Sequence, residues 1–226
     1  MRIRLSAILG LLGLVLGVTG CVSLKRTPDA RFFVLQSQIE PAAAPSGEAP
    51  LEIIGMETVF LPGHLVRPQL VTWTAPNELA VDEFLRWAEP LGDGITRTLS
   101  EDLAALLPEH QIIRRPWPGG TRTRCRVEVV LRVFGLQRDG MVKLEGRWRL
   151  LPDEGQLALV QQPVSLERGP LAGRGEQEVV TGVDVMSELV ADLSRQIAAA
   201  IQALPPEEPP VKLEEDEVTA EDIESR

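Results

Sequence analysis

Two stretches of strict alternation stand out along the chain. Cys125, Val127, Val129, Leu131 and Val133 alternate with Arg126, Glu128, Val130 and Arg132. After Asp139-Gly140, Val142, Leu144, Trp148 and Leu150 alternate with Lys143, Glu145, Arg147 and Arg149. A period of two belongs to a strand with one face in a core, and Asp-Gly between two such runs signals a hairpin. A two-residue loop would set Leu131 opposite Trp148 and Val129 opposite Leu150. It would also set Arg132 opposite Arg147, an unfavourable like-charge pair. Either a longer turn or an anionic partner for that face would relieve the conflict, and we favour the longer turn.

Helical periodicity appears twice. Pro90 opens one helix, where its missing N–H costs little, and Leu91, Ile95, Leu99, Leu103 and Leu106 mark one face before Pro108 ends it. A second helix is predicted from Glu176 to Leu204, with Val179, Val183, Met186, Leu189, Leu193, Ile197 and Ile201 as its apolar stripe and Pro205-Pro206 as its stop. Shorter apolar runs predict strands at Arg31–Leu35, Leu51–Phe60, the end of Leu61–Trp73, within Asn77–Glu89, and at Gln111–Arg114. Another strand is predicted at Leu157–Leu166, where Pro163 marks an edge or a bulge. Gln36–Pro50 reads as a flexible connection. The expected fold is α+β, with a mixed or antiparallel β-sheet packed against two main amphipathic helices as a two-layer α/β sandwich.

The N-terminus carries a different pattern. Arg2 and Arg4 precede an apolar run from Leu5 to Val18. That run has the length of an export signal and falls short of the roughly 20 residues a spanning helix needs. Val18-Thr19-Gly20-Cys21 resembles the bacterial lipobox, in which small residues flank the scissile bond and a cysteine thiol accepts lipid. Residues 1–20 are thus expected to be a lipoprotein signal peptide cut between Gly20 and Cys21. Cys21 would carry a diacylglycerol and an N-acyl chain such as palmitate. Residues 21–30 read as a tether of at most about 35 Å, at ~3.3–3.6 Å per residue. Val22 is not the aspartate that commonly retains such proteins at the inner membrane, so the expected location is the periplasmic face of the outer membrane. The domain proper is expected over residues 31–204, with 205–226 as a disordered acidic tail.

Charge sharpens this division. The chain has a formal net charge of −10. From Pro205 onward nine acidic residues face only Lys212 and Arg226, a net of −7. Residues 21–204 carry 24 acids and 19 bases, a net of −5, and so balanced a body is a poor candidate for a nucleic-acid binder. With Cys21 acylated, Cys125 has no disulfide partner and reads as a small buried side chain. Glu101-Asp102 and Asp82-Glu83 read as solvated faces rather than acid/base couples. There is no Gly-x-Ser-x-Gly elbow, no metal-ligand spacing, and only a truncated Gly-x-Gly at Gly173-Arg174-Gly175. The expectation is therefore no enzyme, no catalytic residue, no metal and no soluble cofactor.

Three segments carry a resemblance to a known family. They are Pro62-x-x-Leu65-x-Arg67-Pro68-Gln69-Leu70-Val71, then Arg86-Trp87-Ala88-Glu89-Pro90-Leu91 at the first helix, and the amphipathic C-terminal helix ending at Leu204-Pro205. In this order behind a lipobox, they resemble the auxiliary lipoproteins of ABC-type transport systems, the PqiC-like group. The resemblance covers nearly all of residues 21–204. It implies a periplasmic α/β domain working with an MCE-domain protein and with the ATPase and permease of an ABC-type system. Such assemblies move lipids between membranes and support outer-membrane integrity. Homo-oligomerisation is a further possible partnership. Two features depart from the family pattern: His64 stands where an aromatic is more usual, and the acidic tail is long. Leu61, Pro62, Leu65, Arg67, Pro68, Trp73 and Trp87 are the candidate partner-interface residues, since Arg and Trp are favoured at interface centres. The alternative functions are a stand-alone periplasmic lipid-binding lipoprotein and, behind it, an envelope hydrolase.

Overall fold

The computed structural model describes residues 28–41, 52–155, 157–172 and 175–206, and the fold belongs to the unit Arg31–Arg226. Its elements, in chain order, are β1 (Arg31–Phe33), β2 (Glu52–Met56), β3 (Gln69–Ala75), β4 (Glu78–Trp87), α1 (Leu91–Leu106), β5 (His110–Arg114), β6 (Cys125–Leu136), β7 (Val142–Leu151), β8 (Val160–Arg168) and α2 (Glu176–Gln202). The class is α+β, as the patterning predicts. The strands form two sheets rather than one: a three-stranded sheet in the order β1-β4-β3, and a five-stranded sheet in the order β5-β2-β6-β7-β8. Both are mixed. In the first, β1 runs parallel to β4 and β3 antiparallel to it. In the second, β2 runs parallel to β5 and β6, while β6, β7 and β8 are antiparallel. The predicted signal peptide, the tether up to residue 27, and the tail from residue 207 lie outside the described residues.

The β6–β7 hairpin has the longer turn. Pairing closes at Leu136↔Val142, leaving Gln137–Met141 as the connection. Gly140 sits in it at φ 79, a left-handed value that suits glycine. A register shift between Leu131 and Val133 leaves Arg132 unpaired on a bulge. Arg147 now faces Val130, and Arg132 swings into solvent with Glu145 at 3.8 Å. The bulge also changes which residues face inward. Phe134 and Leu136 are buried while Val133 turns to the other face, which corrects the continuous alternation expected through Val133. The partner strand accommodates this with Gly146. A Cβ on Gly146 would lie 2.2 Å from the carbonyl oxygen of Val130, so only glycine fits.

Helices α1 and α2 cover one face of the five-stranded sheet. Ile54, Met56, Val127, Val129, Leu144, Trp148 and Leu150 from the strands meet Ile95, Leu99 and Leu103 of α1 and Leu193, Ile197 and Ile201 of α2, all at most 1 % exposed. Each such aliphatic side chain contributes roughly 1.5–3 kcal/mol by leaving water. Several boundaries differ from expectation: β1 ends at Phe33, and β8 runs Val160–Arg168 rather than Leu157–Leu166. The second strand stops at Met56, and Phe60 makes a separate parallel bridge to Val130. β4 is ten residues long rather than short. Leu107, one residue past α1, is fully buried where the stripe pointed to Leu106.

The seam between the helices holds a polar surprise. Asp102, expected on a solvated face, is fully buried, and its Oδ2 accepts a hydrogen bond from Ser194 Oγ of α2 at 2.9 Å. Burial pushes its carboxyl above the usual range, against the opposing effect of the Ser37 and Ser194 hydroxyls. Glu101 does stay at the surface, paired with Arg97. Arg97 also reaches the segment after β1, its Nη2 donating to the carbonyl of Leu35 at 2.8 Å. The backbone N–H of Gln36 donates to Ser187 Oγ of α2 at 3.2 Å. This segment is thereby strapped to both helices.

Candidate functional site: an apolar cleft at the start of α1

The two family-like motifs meet in space. The backbone N–H of Trp87, at the end of β4, donates to the carbonyl of Pro68 at 2.7 Å, which pins one motif to the other. The chain before the first motif is fixed by α1: Val59 N–H donates to Thr96 Oγ1 at 3.0 Å, and the Thr96 hydroxyl donates to the carbonyl of Gly92 at 2.6 Å. Glycine at 92 permits this approach, since a Cβ there would lie 3.2 Å from the Val59 carbonyl. The motif itself turns tightly, with Leu65 N–H donating to the Pro62 carbonyl at 2.9 Å and Val66 N–H to the Gly63 carbonyl at 3.2 Å. Beyond the second motif, Glu89 is held by Arg97 at 2.8 Å.

Between these segments lies a half-open cleft of about 600 Å³. Leu61, Pro68, Trp87, Pro90 and Leu91 line it, with Arg67, Glu89 and Asp93 as its charged members. Phe60 and Val66 also line it, and they stand 65 % and 68 % exposed. An exposed aromatic and an exposed aliphatic beside a largely apolar recess make an apolar patch that water solvates poorly. Chemically the cleft can bind an apolar surface. It offers no activated nucleophile.

The interface candidates distribute unevenly. Leu61, Arg67, Pro68 and Trp87 line the cleft. Leu61, Leu65 and Trp87 turn inward as core residues, so Leu61 and Trp87 form its wall from within rather than projecting from it. Pro62 and Leu65 shape the turn behind it, and Trp73 belongs to a second recess, where His64 meets its ring edge-on at 5.5 Å between centroids. The residues that sequence reasoning missed are Phe60 and Val66. Phe60 lay inside a predicted strand, and Val66 was hidden between two motif positions; neither carries a sequence signal of exposure. Gly20 and Cys21, the predicted processing and lipidation site, lie outside the described residues.

Cys125 is fully buried, and desolvation pushes its thiol up to about 12, which makes it an inert packing residue at neutral pH. No group of three His, Cys, Asp or Glu among the described residues could hold a metal ion. Among the same residues no helix is long and apolar enough to cross a membrane.

The class of protein thus defined is an α+β domain with a largely apolar cleft formed where the end of β4, the turn before β3 and the start of α1 converge. The chain belongs to the ABC-type transport auxiliary lipoprotein component family, whose model matches residues 33–198. That is a family of transport lipoproteins, not of enzymes. The chain is similar to the intermembrane transport lipoprotein PqiC of Escherichia coli (strain K12), 28 % identical over 149 residues that cover 66 % of this chain and 72 % of the relative. It has the same similarity to intermembrane transport lipoprotein PqiC of Shigella flexneri. Two crystal structures share the fold at a TM-score of 0.60. One is of an uncharacterized protein, 24 % identical, covering 77 % of this chain and 99 % of that one. The other is of a Xanthomonas campestris protein, 14 % identical, covering 76 % and 97 %.

Proposed function

We propose that this chain is a periplasm-facing lipoprotein, held by acyl chains on Cys21 to the outer membrane, that serves as an accessory component of an MCE/ABC-type intermembrane lipid transport system. In this reading the cleft at the start of α1 is where another protein of the system docks. One observation carries the proposal. Two motifs separated by a whole hairpin are pinned together by the Trp87–Pro68 hydrogen bond, and the recess they form is rimmed by Phe60 and Val66 in solvent. Large exposed apolar side chains around a concave wall are the surface expected of a protein interface. The relatives named for intermembrane transport support the same assignment.

The test is photo-crosslinking in intact envelopes from position 60, with a photoreactive phenylalanine analogue replacing Phe60. The expected product is a covalent adduct with an MCE-domain protein or a permease component. Adducts from another exposed position away from the cleft, such as Gln161, serve as the control. If both positions capture the same spectrum of proteins, the cleft is not the dock. Anchoring is tested separately: Cys21→Ser is expected to abolish incorporation of labelled palmitate and to release the protein from membranes.

A further inference from the structure

The strand nearest in sequence to the predicted lipidation site carries an exposed apolar pair. Burial alternates along β1 and the residues that follow it: Leu35 is 1 % exposed and Phe33 half-buried, whereas Phe32 and Val34 stand 64 % and 43 % exposed. Neither can fold away. Parallel pairing with β4, Phe32 beside Arg86 and Phe33 beside Trp87, fixes the strand. Just past it, Arg97 Nη2 donates to the Leu35 carbonyl at 2.8 Å, and the Gln36 N–H donates to Ser187 Oγ at 3.2 Å. The pair is displayed on a held segment.

Three observations narrow what covers it. β1 is an edge of its sheet but only three residues long, too short to serve as a template for a partner strand. The charge beside Phe32 is already matched: Arg86 turns back on Glu83, its Nε donating to the Glu83 carbonyl at 2.8 Å and its Nη2 lying 3.4 Å from the carboxylate. Asp29 and Arg31 precede the pair with opposite charges, so nothing here selects a charged partner. Finally, positions 21 and 32 are eleven residues apart, at most about 40 Å at ~3.3–3.6 Å per residue. With Cys21 acylated, the surface always within that reach is the membrane that holds the acyl chains.

We propose that Phe32 and Val34 seat in the boundary between headgroups and acyl chains of that membrane, so that the lipoprotein lies against its own membrane at β1. The inference rests on the reading of Cys21 as acylated. An aromatic and an aliphatic side chain at that depth add apolar contact to the lipid anchor. The contact also orients the molecule. The Ala88 N–H donates to the Phe33 carbonyl at 2.9 Å, and Trp87 and Ala88 line the cleft, so the cleft begins one strand away from the lipid-facing one. A protein seated there would meet this chain close to the lipid surface.

Site-specific fluorescence on the lipidated full chain, in vesicles of phosphatidylethanolamine and phosphatidylglycerol, tests it. Phe32→Cys supplies a single reactive thiol for a nitrobenzoxadiazole label, because Cys21 is blocked by lipid and Cys125 is fully buried. Gln161→Cys, exposed on β8, is the control. The label at position 32 is expected to emit to the blue of the label at 161, and to be quenched several-fold more strongly by lipids spin-labelled near the headgroup. Val34→Cys keeps Phe32 and is expected to behave in the same way, with weaker quenching once Phe32→Ser is added to it. If the chain floats with the vesicles while the labels at 32 and 34 stay as solvated as the one at 161, the contact is overturned and the anchor stands. If the chain does not float, the anchor reading falls and the contact with it. Shielding of position 32 only after envelope proteins are added back would also overturn the proposal, since the patch would then belong to a protein.

Discussion

The covered face of the five-stranded sheet and the cleft at the start of α1 are built from the same kinds of residue and end in opposite states. Under the helices, Trp148, Leu144, Val129, Leu99 and Leu193 are each at most 1 % exposed. At the cleft, Phe60 and Val66 leave most of their surface in water beside buried Leu61 and Trp87. The difference lies in the partner. Inward positions of β6 and β7 have a helix stripe above them, whereas the wall of the cleft is a turn and a helix start with no described residue laid across it. The covered face spends its apolar area on stability. The cleft keeps some in reserve for another molecule.

The comparison is broken most violently at Gly146. Gly146→Val places a Cβ 2.2 Å from the Val130 carbonyl and 2.9 Å from Leu131 Cα, both backbone atoms that cannot move without opening the hairpin at its bulge. The expected loss exceeds about 3 kcal/mol, at the top of the overpacking range, and shows as a collapse of soluble yield or of the urea midpoint. Next in size is Trp148→Ala, which empties the centre of the same layer. It is expected to cost about 3–5 kcal/mol in urea unfolding, as for other large aromatics truncated in a core.

Asp102 sharpens the contrast within the covered layer, because it is a polar group held where the apolar rule is otherwise strict. Its carboxyl titrates above the usual range in the folded chain, chiefly through desolvation. A raised folded value means that Asp102 contributes stability below its unfolded value, near ~3.9, and loses it as pH rises through the folded one. Asp102→Asn keeps a group able to accept from Ser194 but carries no charge to bury. The variant is expected to match wild type at acidic pH and to gain relative stability as pH rises. Thermal unfolding across that range decides it. A constant offset at all pH values would mean that ionisation of Asp102 plays no part.

Much of this was legible in the chain. The β6–β7 hairpin, both helices and the edge position of β8 follow from period two, period 3.6 and Pro163, because burial on one face leaves a direct trace in sequence. Even the conflict between Arg132 and Arg147 foretold a departure from the simplest turn. The place of the bulge did not show, since a register shift is a backbone event and alternation resumes on either side of it. Asp102 had a signal that a charge-based reading passes over: three residues after Leu99 and seven after Ile95, it falls on the apolar stripe. The cleft was half legible. Its motifs stood out, but their meeting depends on the β3–β4 register, which pairs Gln69 with Arg86 and continues in the Trp87 N–H to Pro68 carbonyl bond. The exposure of Phe60 and Val66 depends on where β2 stops.

The smallest expected effect on stability is also the one that tests the cleft most directly. Phe60 and Val66 are mostly solvated, so Phe60→Ser and Val66→Ser remove little buried area, and each is expected to change the unfolding free energy, read from urea titration, by no more than about 0.5 kcal/mol, the range of ordinary surface changes. The backbone bonds that hold Phe60 in place, its N–H to Val129 and its carbonyl to Leu131, both at 3.0 Å, do not involve the side chain. Fold and function therefore separate cleanly at these two positions. If an apolar partner covers the rim, losing one buried aromatic from the centre of that contact costs at least about 2 kcal/mol of binding. That is roughly a thirty-fold drop in affinity, read as lost co-purification of the transport components from envelopes. A Phe60→Ser protein that is fully stable and captures its partners undiminished would leave the exposed rim a feature of packing alone.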